Sequence, residues 1–286
     1  TDLSIPQMLV VETRLPRIVV ALLCGAVLAV SGLLLQTMTR NPLASPSLLS
    51  INAGAGLGVI LAGVFMTGAG ALTQSTAAAI GGALSWTLVM WISYRDGRLQ
   101  KSRLILAGIA VSAFCAALGK ASLILDENQA SAVINWLAGG VSNMSWKQVH
   151  EYWPLVVVPA IPLVWLVPRL NILSLSDEAA QSLGVSVRQL RFWLTTVVLI
   201  WVGASVATTG PIAFIGLLVP HLARHWIGYD LRRTVPMCAL LGGLLFVAAD
   251  LLARALAHPA DLPAGAVLAL IGAPCFVLLA KSRSDQ

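Results

Sequence analysis

Long apolar stretches separated by short polar connections follow one another along almost the whole chain. Residues 18–36 run for 19 positions without a charged side chain. A helix that rises 1.5 Å per residue crosses the roughly 30 Å hydrocarbon core in about 20 residues. Nine such stretches recur, and each predicts a membrane-spanning helix. The predicted spans cover 18–36, 48–66, 71–93, 104–125, 153–168, 192–208, 211–223, 235–257 and 264–280.

Two of the predicted spans depart from a regular apolar helix. The fifth contains Pro159 and Pro162, which kink a helix but are tolerated inside a packed membrane bundle. The seventh is short and begins at Gly210 and Pro211, which predicts a partial or bent span. Counting it as a crossing keeps the basic residues on a consistent side of the membrane, so we favour nine spans over eight.

Small residues recur at every fourth position in two of the predicted spans, at Ala21, Gly25 and Ala29 and at Gly54 and Gly58. This spacing places them on one helix face, where they allow a neighbouring backbone to approach closely. The pattern predicts a tightly packed bundle. It carries no information about function.

Composition excludes a soluble protein. Hydrophobic residues make up 58% of the chain, charged residues only 10%, and the mean hydropathy is +0.85, whereas soluble domains are about 25% charged. Membrane β-barrels show weakly alternating segments of about 10 residues rather than continuous apolar runs. The sequence therefore predicts an all-α, polytopic membrane helical bundle that forms one transmembrane domain over residues 1–286.

Lys and Arg lie at the ends of the apolar stretches and show a strong sidedness. If successive connections alternate between sides, 13 of the 18 Lys and Arg fall on one side. The positive-inside rule makes that side cytoplasmic. The other five are Arg14, Arg17, Lys120, Lys147 and Arg254. This sidedness accounts for the net charge of +6, so nucleic-acid binding is not predicted.

The side chains that usually carry chemistry form no catalytic constellation. His221 and His225 have i, i+4 spacing but lack the Glu of an HExxH zinc motif, and the sequence contains no GxxxxGK[ST] phosphate loop. We therefore predict no metal site and no ATP hydrolysis by this chain. The four cysteines lie in apolar stretches, where a packing role is favoured over a redox role: Cys24, Cys115, Cys238 and Cys275.

One polar segment, residues 174–191, is longer than the usual connection in a bundle. Ser176 is a good helix N-cap, and Asp177 and Glu178 place negative charge where the helix macrodipole favours it. Gly184 supplies a C-terminal stop and predicts a backbone with positive φ.

A second short helix is then predicted from Ser186, as its cap, through Arg191 into the next span. Two capped helices in a sharp turn on the cytoplasmic side would result. An ordinary polar connector is the simpler alternative. The length of the segment and its local helix signals favour a docking surface for a cytoplasmic partner.

Seven motifs occur in an order that resembles the FecCD-type permease family, the membrane subunits of ABC importers for ferric siderophores, haem and vitamin B12. They are RLPR at Arg14–Arg17, QTMTRNPLASPS at Gln36–Ser47, LILAGIAVSAF at Leu104–Phe114, LSLSDEAAQSLGVS at Leu173–Ser186, GPIAFIGLLVPHLAR at Gly210–Arg224, ADLLAR at Ala249–Arg254 and LPAGAVLALIGAPCF at Leu262–Phe276.

Two further stretches, Trp136–Trp146 and the segment from Asp261, bring the resemblance nearest to the permeases of ferric citrate importers. The family has ten spans. This sequence begins without Met and has nine predicted spans, so we expect that the first span of the family has been trimmed.

The resemblance implies a coupling role for the paired cytoplasmic helices, which seat in a groove of the ATPase subunit. The residues that match the coupling pattern are Ser176, Asp177, Glu178, Ala179, Ala180, Leu183 and Gly184.

The resemblance also implies that Arg14, Arg17 and Arg254 receive acidic residues of a periplasmic binding protein. From the residues alone, these arginines are favoured as interfacial anchors that snorkel to the membrane surface. Asp250 lies four residues before Arg254 and is placed to pair with it. Whether that pair preorganises Arg254 or neutralises a membrane-embedded acid is left open.

A cytoplasmic constriction of the translocation path is implied at Asn41 and Leu43, with a second at Gln100 and Lys101, where this chain departs from the hydroxyl residues of the vitamin B12 permease. Lys120 lies inside a predicted span, near its outer end. It either snorkels to the outer interface or contacts an anionic ferric complex.

The expected function is that of a non-catalytic permease subunit of an ABC importer for a ferric chelate, ferric citrate first, in the bacterial inner membrane. Its expected partners are a second permease, which we expect to be a paralogue, two ATPase subunits that bind ATP and Mg, and a periplasmic binding protein. Another siderophore, haem or vitamin B12 are alternative substrates. An ion-coupled secondary transporter and an intramembrane enzyme are disfavoured, because the ionisable residues lie almost wholly at span ends.

Single-cysteine labelling in a background without native cysteines tests the predicted topology. Three positions are expected to react from the cytoplasm: Asp96, Ser182 and Asp230. Three others are expected to react from the periplasm: Glu127, Ser142 and Asp261. Reaction of Ser182→Cys with a membrane-impermeant periplasmic reagent would reverse the whole orientation.

Overall fold

The computed structural model describes residues 8, 10–66, 70–95, 98–124, 136–174, 180, 182, 184, 186–257 and 261–284. Nine α-helices have bounds within these ranges: α1 Leu15–Thr39, α2 Ile51–Phe65, α3 Ala71–Ser93, α4 Lys101–Ile124, α5 Trp146–Leu170, α6 Val187–Thr209, α7 Ile215–Ile227, α8 Leu231–Ala257 and α9 Ala264–Ser284. Each coincides with one predicted span, so the all-α bundle and its helices are confirmed.

Four short elements lie between or beside these helices. A π-helical turn, Val10–Arg14, leads directly into α1, and a 3-10 turn, Asn171–Ser174, follows α5. Strands β1, Tyr94–Arg95, and β2, Arg98–Leu99, form a small antiparallel ladder between α3 and α4.

Length and apolar composition together distinguish six of the helices from the rest. Within the described ranges, six helices are long and apolar enough to cross a membrane alone, namely α1, α3, α4, α5, α6 and α8. Helix α7 has only 13 residues, about 20 Å of rise, and Gly210–Phe214 leads into it without helical structure. The seventh helix is therefore short, as the sequence predicts for a partial or bent span.

Helix α1 forms the centre of the bundle and packs against α5, α6, α7 and α8. Leu33, Leu34 and Leu35 are fully buried. A Cβ built on Gly25 would lie 2.2 Å from the carbonyl oxygen of Gly242 on α8, so only glycine allows this approach of the two backbones. The small-residue face predicted on α1 is confirmed as a contact between helices.

A second close contact joins α2 and α3. A Cβ on Gly54 would lie 2.4 Å from the carbonyl oxygen of Gly81, and one on Gly58 would lie 2.2 Å from that of Ala77. The predicted pair of glycines thus lies against a neighbouring helix. Both contacts fix helix axes at short distance and leave little room for sliding.

Helix α5 is continuous through Pro159 and Pro162, as predicted for prolines within a packed bundle. Two hydrogen bonds attach it to α6. The Tyr152 hydroxyl and Ser205 Oγ are 2.7 Å apart, and Trp201 Nε1 donates to the carbonyl oxygen of Val156 at 2.9 Å. Polar groups of both helices are therefore satisfied inside the bundle, as a lipid environment demands.

Large apolar side chains cover the outside of the bundle. Trp91, Trp165 and Leu270 are each more than three quarters exposed, while Ser31, Asn52 and Ser205 are buried within. This distribution is the reverse of that in a water-soluble protein. It is the distribution expected of a multi-pass membrane protein whose helices face lipid.

Candidate functional site

A buried ion pair joins the first turn of α1 to the C-terminal part of α8, on the side predicted to be periplasmic. Arg17 Nη2 lies 2.7 Å from Asp250 Oδ1, and Arg17 Nε lies 2.9 Å from Asp250 Oδ2. The side chains of Arg17 and Asp250 are only 9% and 3% exposed. The two-pronged geometry matches a planar guanidinium to a carboxylate, which is the strong form of this interaction.

Two further charges surround this pair. Arg254 Nη2 lies 3.3 Å from Asp250 Oδ2, one helical turn away on α8, and Asp261 Oδ2 lies 3.5 Å from Arg17 Nη1. The Arg254 side chain is 27% exposed and that of Asp261 is 52% exposed. The predicted pairing of Asp250 with Arg254 is confirmed. We call these four residues the outer cluster.

The burial of Arg17 changes the docking prediction. Its guanidinium is engaged by Asp250 inside the chain, so it is a structural cation rather than one presented to a partner. Asp250 is first of all the partner of Arg17, and Arg254 is the second cation on it. Arg14 is exposed at the end of the first helical turn. The docking role therefore remains a prediction for Arg14 and Arg254.

On the opposite, basic side of the bundle, the turn Asn171–Ser174 is a junction. Arg40, just after α1, donates from Nε to the carbonyl oxygen of Leu173 at 3.1 Å. Asn171 donates from Nδ2 to Asp230 Oδ1 at 2.8 Å and accepts from the backbone N–H of Leu231 at 2.9 Å. The turn therefore contacts the end of α1 and the start of α8.

Asp230 is charged in this junction over the whole physiological range. The hydrogen bond from the Asn171 amide, and after it the backbone N–H of Arg232, lower the pKa of Asp230. Both bonds stabilise the carboxylate, so Asp230 contributes to the stability of the folded protein above the pKa that it has in the unfolded chain. This contribution is lost as the pH falls through the lower pKa of the folded state. Asp230 thereby caps α8 and holds Asn171 against it.

The predicted coupling segment begins directly after this junction. Ala180 is fully buried, Ser182 is exposed, and Gly184 has φ +75° with no atom within 4 Å of a built Cβ. The positive φ predicted at Gly184 is confirmed. Ala180 packs into the apolar core of its own chain rather than at a surface open to a partner. The remaining coupling residues lie outside the described residues: Ser176, Asp177, Glu178, Ala179 and Leu183.

The helix predicted to begin after Ser186 is present, but it is the first part of α6 and not a short helix of its own. Helix α6 runs without interruption from Val187 to Thr209, and the side chain of Ser186 makes no capping hydrogen bond. No glycine or proline separates Arg191 from the span, so helix propagation continues through it. The segment therefore has one exit directly into α6.

Asn41 forms a turn at the end of α1. Its Oδ1 accepts from the backbone N–H of Leu43 at 3.0 Å, and the residue is buried. This is an Asx turn, which fixes the loop after Arg40. Gln100 is exposed before α4, and Lys101 begins that helix. The geometry gives Asn41 a structural role in the loop, and a constriction at these four positions stays a prediction.

Sequence reasoning missed the partners of the best-defined groups. Arg17 and Asp250 are separated by 233 positions, and Asn171 and Asp230 by 59. The one local signal was Asp230, an N-cap residue directly before the helical pattern of α8.

The chain was compared with known proteins. A model of the FecCD transport family matches residues 2–282. The Fe(3+) dicitrate transport system permease protein FecC of Escherichia coli (strain K12) is 52% identical over 98% of this chain and 85% of that protein. FecD of the same organism, also a Fe(3+) dicitrate transport system permease protein, is 39% identical over 95% of this chain and 85% of that protein.

A solved structure shares the architecture. It is that of a metal-chelate type ABC transporter in an inward-facing conformation, and its sequence is 31% identical to this chain. The match covers 99% of this chain and 90% of the other, with a TM-score of 0.85. These similarities confirm the resemblance to the family that the seven motifs predicted. They also confirm that, within the family, the chain resembles ferric citrate permeases.

We expect Asp250→Ala to destabilise the protein by about 3–5 kcal/mol, because it leaves the buried guanidinium of Arg17 without a counter-charge. The double variant Arg17→Met, Asp250→Leu is expected to recover most of that loss, since neither charge then remains. Asp261→Ala is the matched control and is expected to cost at most about 1 kcal/mol, as for an exposed pair. Unfolding in detergent measures all three. Equal losses in the single and double variants would contradict a coupled pair.

Proposed function

The chain belongs to the FecCD transport family, and from this premise we propose that it is the permease subunit of an ABC importer that carries ferric citrate across the bacterial inner membrane. The observation that carries the proposal is its similarity, along nearly the whole chain, to a permease named for Fe(3+) dicitrate transport. The multi-pass helical bundle supplies the scaffold for such a path.

The proposed assembly contains a second, paralogous permease. Support comes from the two Escherichia coli permeases named for the same transport system, both of which resemble this chain. The chain itself supplies no phosphate-binding loop, so ATP and Mg bind to two separate ATPase subunits. A periplasmic binding protein delivers the chelate. The permease subunit is non-catalytic.

Coupling proceeds through residues 174–191. When the ATPase subunits move this segment, the adjoining turn Asn171–Ser174 moves with it. Arg40 and Asp230 connect that turn to α1 and α8. These two helices are in close contact at Gly25 and meet again in the outer cluster, so a displacement on the basic side is carried to the outer face by a rigid pair.

Docking of the binding protein takes place over Arg14 and Arg254. Both cations lie on the predicted periplasmic side and attract an acidic surface. Asp250 holds Arg254 by a contact of 3.3 Å, which limits the rotamers of its side chain before the partner arrives. The pair thus preorganises Arg254 and at the same time neutralises the buried acid.

Uptake of radiolabelled iron by cells that lack their own ferric citrate permeases tests the substrate. Cells that express this chain with its paralogue and ATPase are expected to accumulate iron from ferric citrate and much less from ferric hydroxamates, ferric catecholates or haem. An empty vector and a Walker-lysine variant of the ATPase are the controls. Uptake of another chelate in place of ferric citrate would overturn the substrate and leave the family intact.

We expect Gly184→Val to abolish uptake while the subunit still inserts and expresses. The backbone at Gly184 has φ +75°, which a β-branched residue resists. Gly184→Asn is the matched variant, because Asn tolerates the left-handed region, and it is expected to retain most of the uptake. Co-purification of the ATPase and permease-stimulated ATP turnover are measured beside uptake. Normal values of both in Gly184→Val would exclude a coupling role.

We expect Arg14→Glu combined with Arg254→Gln to weaken binding-protein affinity for the reconstituted transporter by about tenfold or more at low salt. Glutamine at position 254 removes the cation without adding an anion beside Asp250. Salt is expected to weaken the native complex, because exposed charges are screened over about 8–10 Å at physiological ionic strength. Unchanged affinity and no salt dependence would return both arginines to membrane-interface anchors.

A further inference from the structure

A cavity of about 330 Å³ opens between α2, α4 and the segment that leads into α7. Small residues, among them Gly56 and Gly119, form part of its wall, and Pro211 and Ala213 close one side. Lys120, in its lining, lies four residues before the end of α4, on the side predicted to be periplasmic. The volume falls within the range of small-molecule sites.

Lys120 is the only charged side chain among the described residues that line this cavity. It is exposed, and no acidic side chain within the described ranges lies at ion-pair distance from it. The rest of the wall is largely apolar, with Leu57, Ile60 and Leu137 in the lining. An ammonium beside an apolar wall is screened less than one in bulk water and attracts an anion more strongly.

A second polar group in the lining lacks a partner. Asn52 is 5% exposed, and its amide Nδ2 donates to the carbonyl oxygen of Ile212 at 2.8 Å and to Ser47 Oγ at 3.0 Å. Its Oδ1 is buried and accepts no hydrogen bond from the residues that the structure describes. Buried carbonyl oxygens of this kind are normally paired. A ligand or water that brings a hydroxyl donor into the cavity would satisfy it.

We propose that this cavity is a transit site for an anionic ferric chelate, in which the Lys120 ammonium contacts a carboxylate of the chelate and Asn52 accepts a hydrogen bond from a hydroxyl group or a bound water. The inference rests on the proposed function and adds to it the residue that favours polycarboxylate over neutral chelates. The serine hydroxyls of Ser47 and Ser112 supply further donors to the same anion.

Uptake kinetics of ferric citrate in proteoliposomes test the site. Lys120→Ala is expected to raise KM about tenfold with little change in the maximal rate, because the charge acts on binding of the anion, and Lys120→Arg is expected to stay near wild type. Lys147→Ala is the matched control. It removes an exposed lysine from the same predicted side, on α5 and outside this cavity, and is expected to leave KM unchanged.

Chemical restoration of the charge gives a second arm, in which the charge at position 120 is changed after the protein has folded. Lys120→Cys is placed in a background with alanine at all four native cysteines, since Cys115 lines the same cavity. Modification with 2-aminoethyl methanethiosulfonate restores an ammonium and is expected to recover KM. Modification with the 2-sulfonatoethyl reagent adds an anion and is expected to raise KM further. Ferric citrate is also expected to slow both modification reactions.

The outcomes separate this inference from the proposed function. Absence of ferric citrate uptake by the wild type would overturn the proposed function. Normal wild-type uptake with equal KM in the Lys120→Ala and Lys147→Ala variants, and no effect of either reagent, would overturn the transit site alone. Lys120 would then be an interfacial anchor that contacts lipid phosphate.

Discussion

The buried ion pair between Arg17 and Asp250 is the interaction on which the rest of this bundle depends. A guanidinium or a carboxylate is costly in a low-dielectric environment, and each is tolerated here because the other lies at 2.7 Å. Apolar packing in lipid has little preference for one helix rotation over another. Because Arg17 and Asp250 must be in contact, they fix the rotation and the axial position of α1 relative to α8. The contact between Gly25 and Gly242 then allows the two helix backbones to approach closely.

Helix α1 transmits this constraint to the rest of the chain. It is the most deeply buried of the long helices, and α5, α6, α7 and α8 all pack on it. Its two ends carry the polar contacts that matter. Arg17 lies at the outer end, and Arg40 lies at the other end beside the turn that precedes the coupling segment. Rigid contacts in the middle and polar contacts at both ends suit a helix pair that moves as one body.

A second region lies where α2 and α4 line the cavity that contains Lys120. The ions of the outer cluster are paired within the chain, whereas Lys120 and the Oδ1 of Asn52 have no partner in the described residues. In lipid an unsatisfied buried group is expensive. The contrast agrees with a structural role for the α1 and α8 pair and with the proposed anion site at Lys120.

The sequence by itself determined the nine helices. Span length and the spacing of small residues are local properties, and both can be recognised in a sequence because a helix has 3.6 residues per turn. It also indicated the positive φ at Gly184, because a glycine that ends a helix commonly adopts the left-handed conformation. Hydropathy placed Arg14, Arg17 and Arg254 together at the outer interface. It could not separate the buried arginine from the exposed ones, since all three stand at similar positions relative to an apolar stretch.

Only the tertiary structure decided which of these groups meet. Arg17 contacts Asp250, 233 positions away in the sequence, and Asn171 contacts Asp230, 59 positions away. No periodicity in the sequence links residues so far apart. The burial of Ala180 and the unbroken start of α6 at Val187 likewise depend on what packs around them. The local sequence determines which residues lie on each face of a helix. The neighbour of each face is determined only when the helices pack, because the burial of a charge and the close approach of two backbones depend on both helices of a pair.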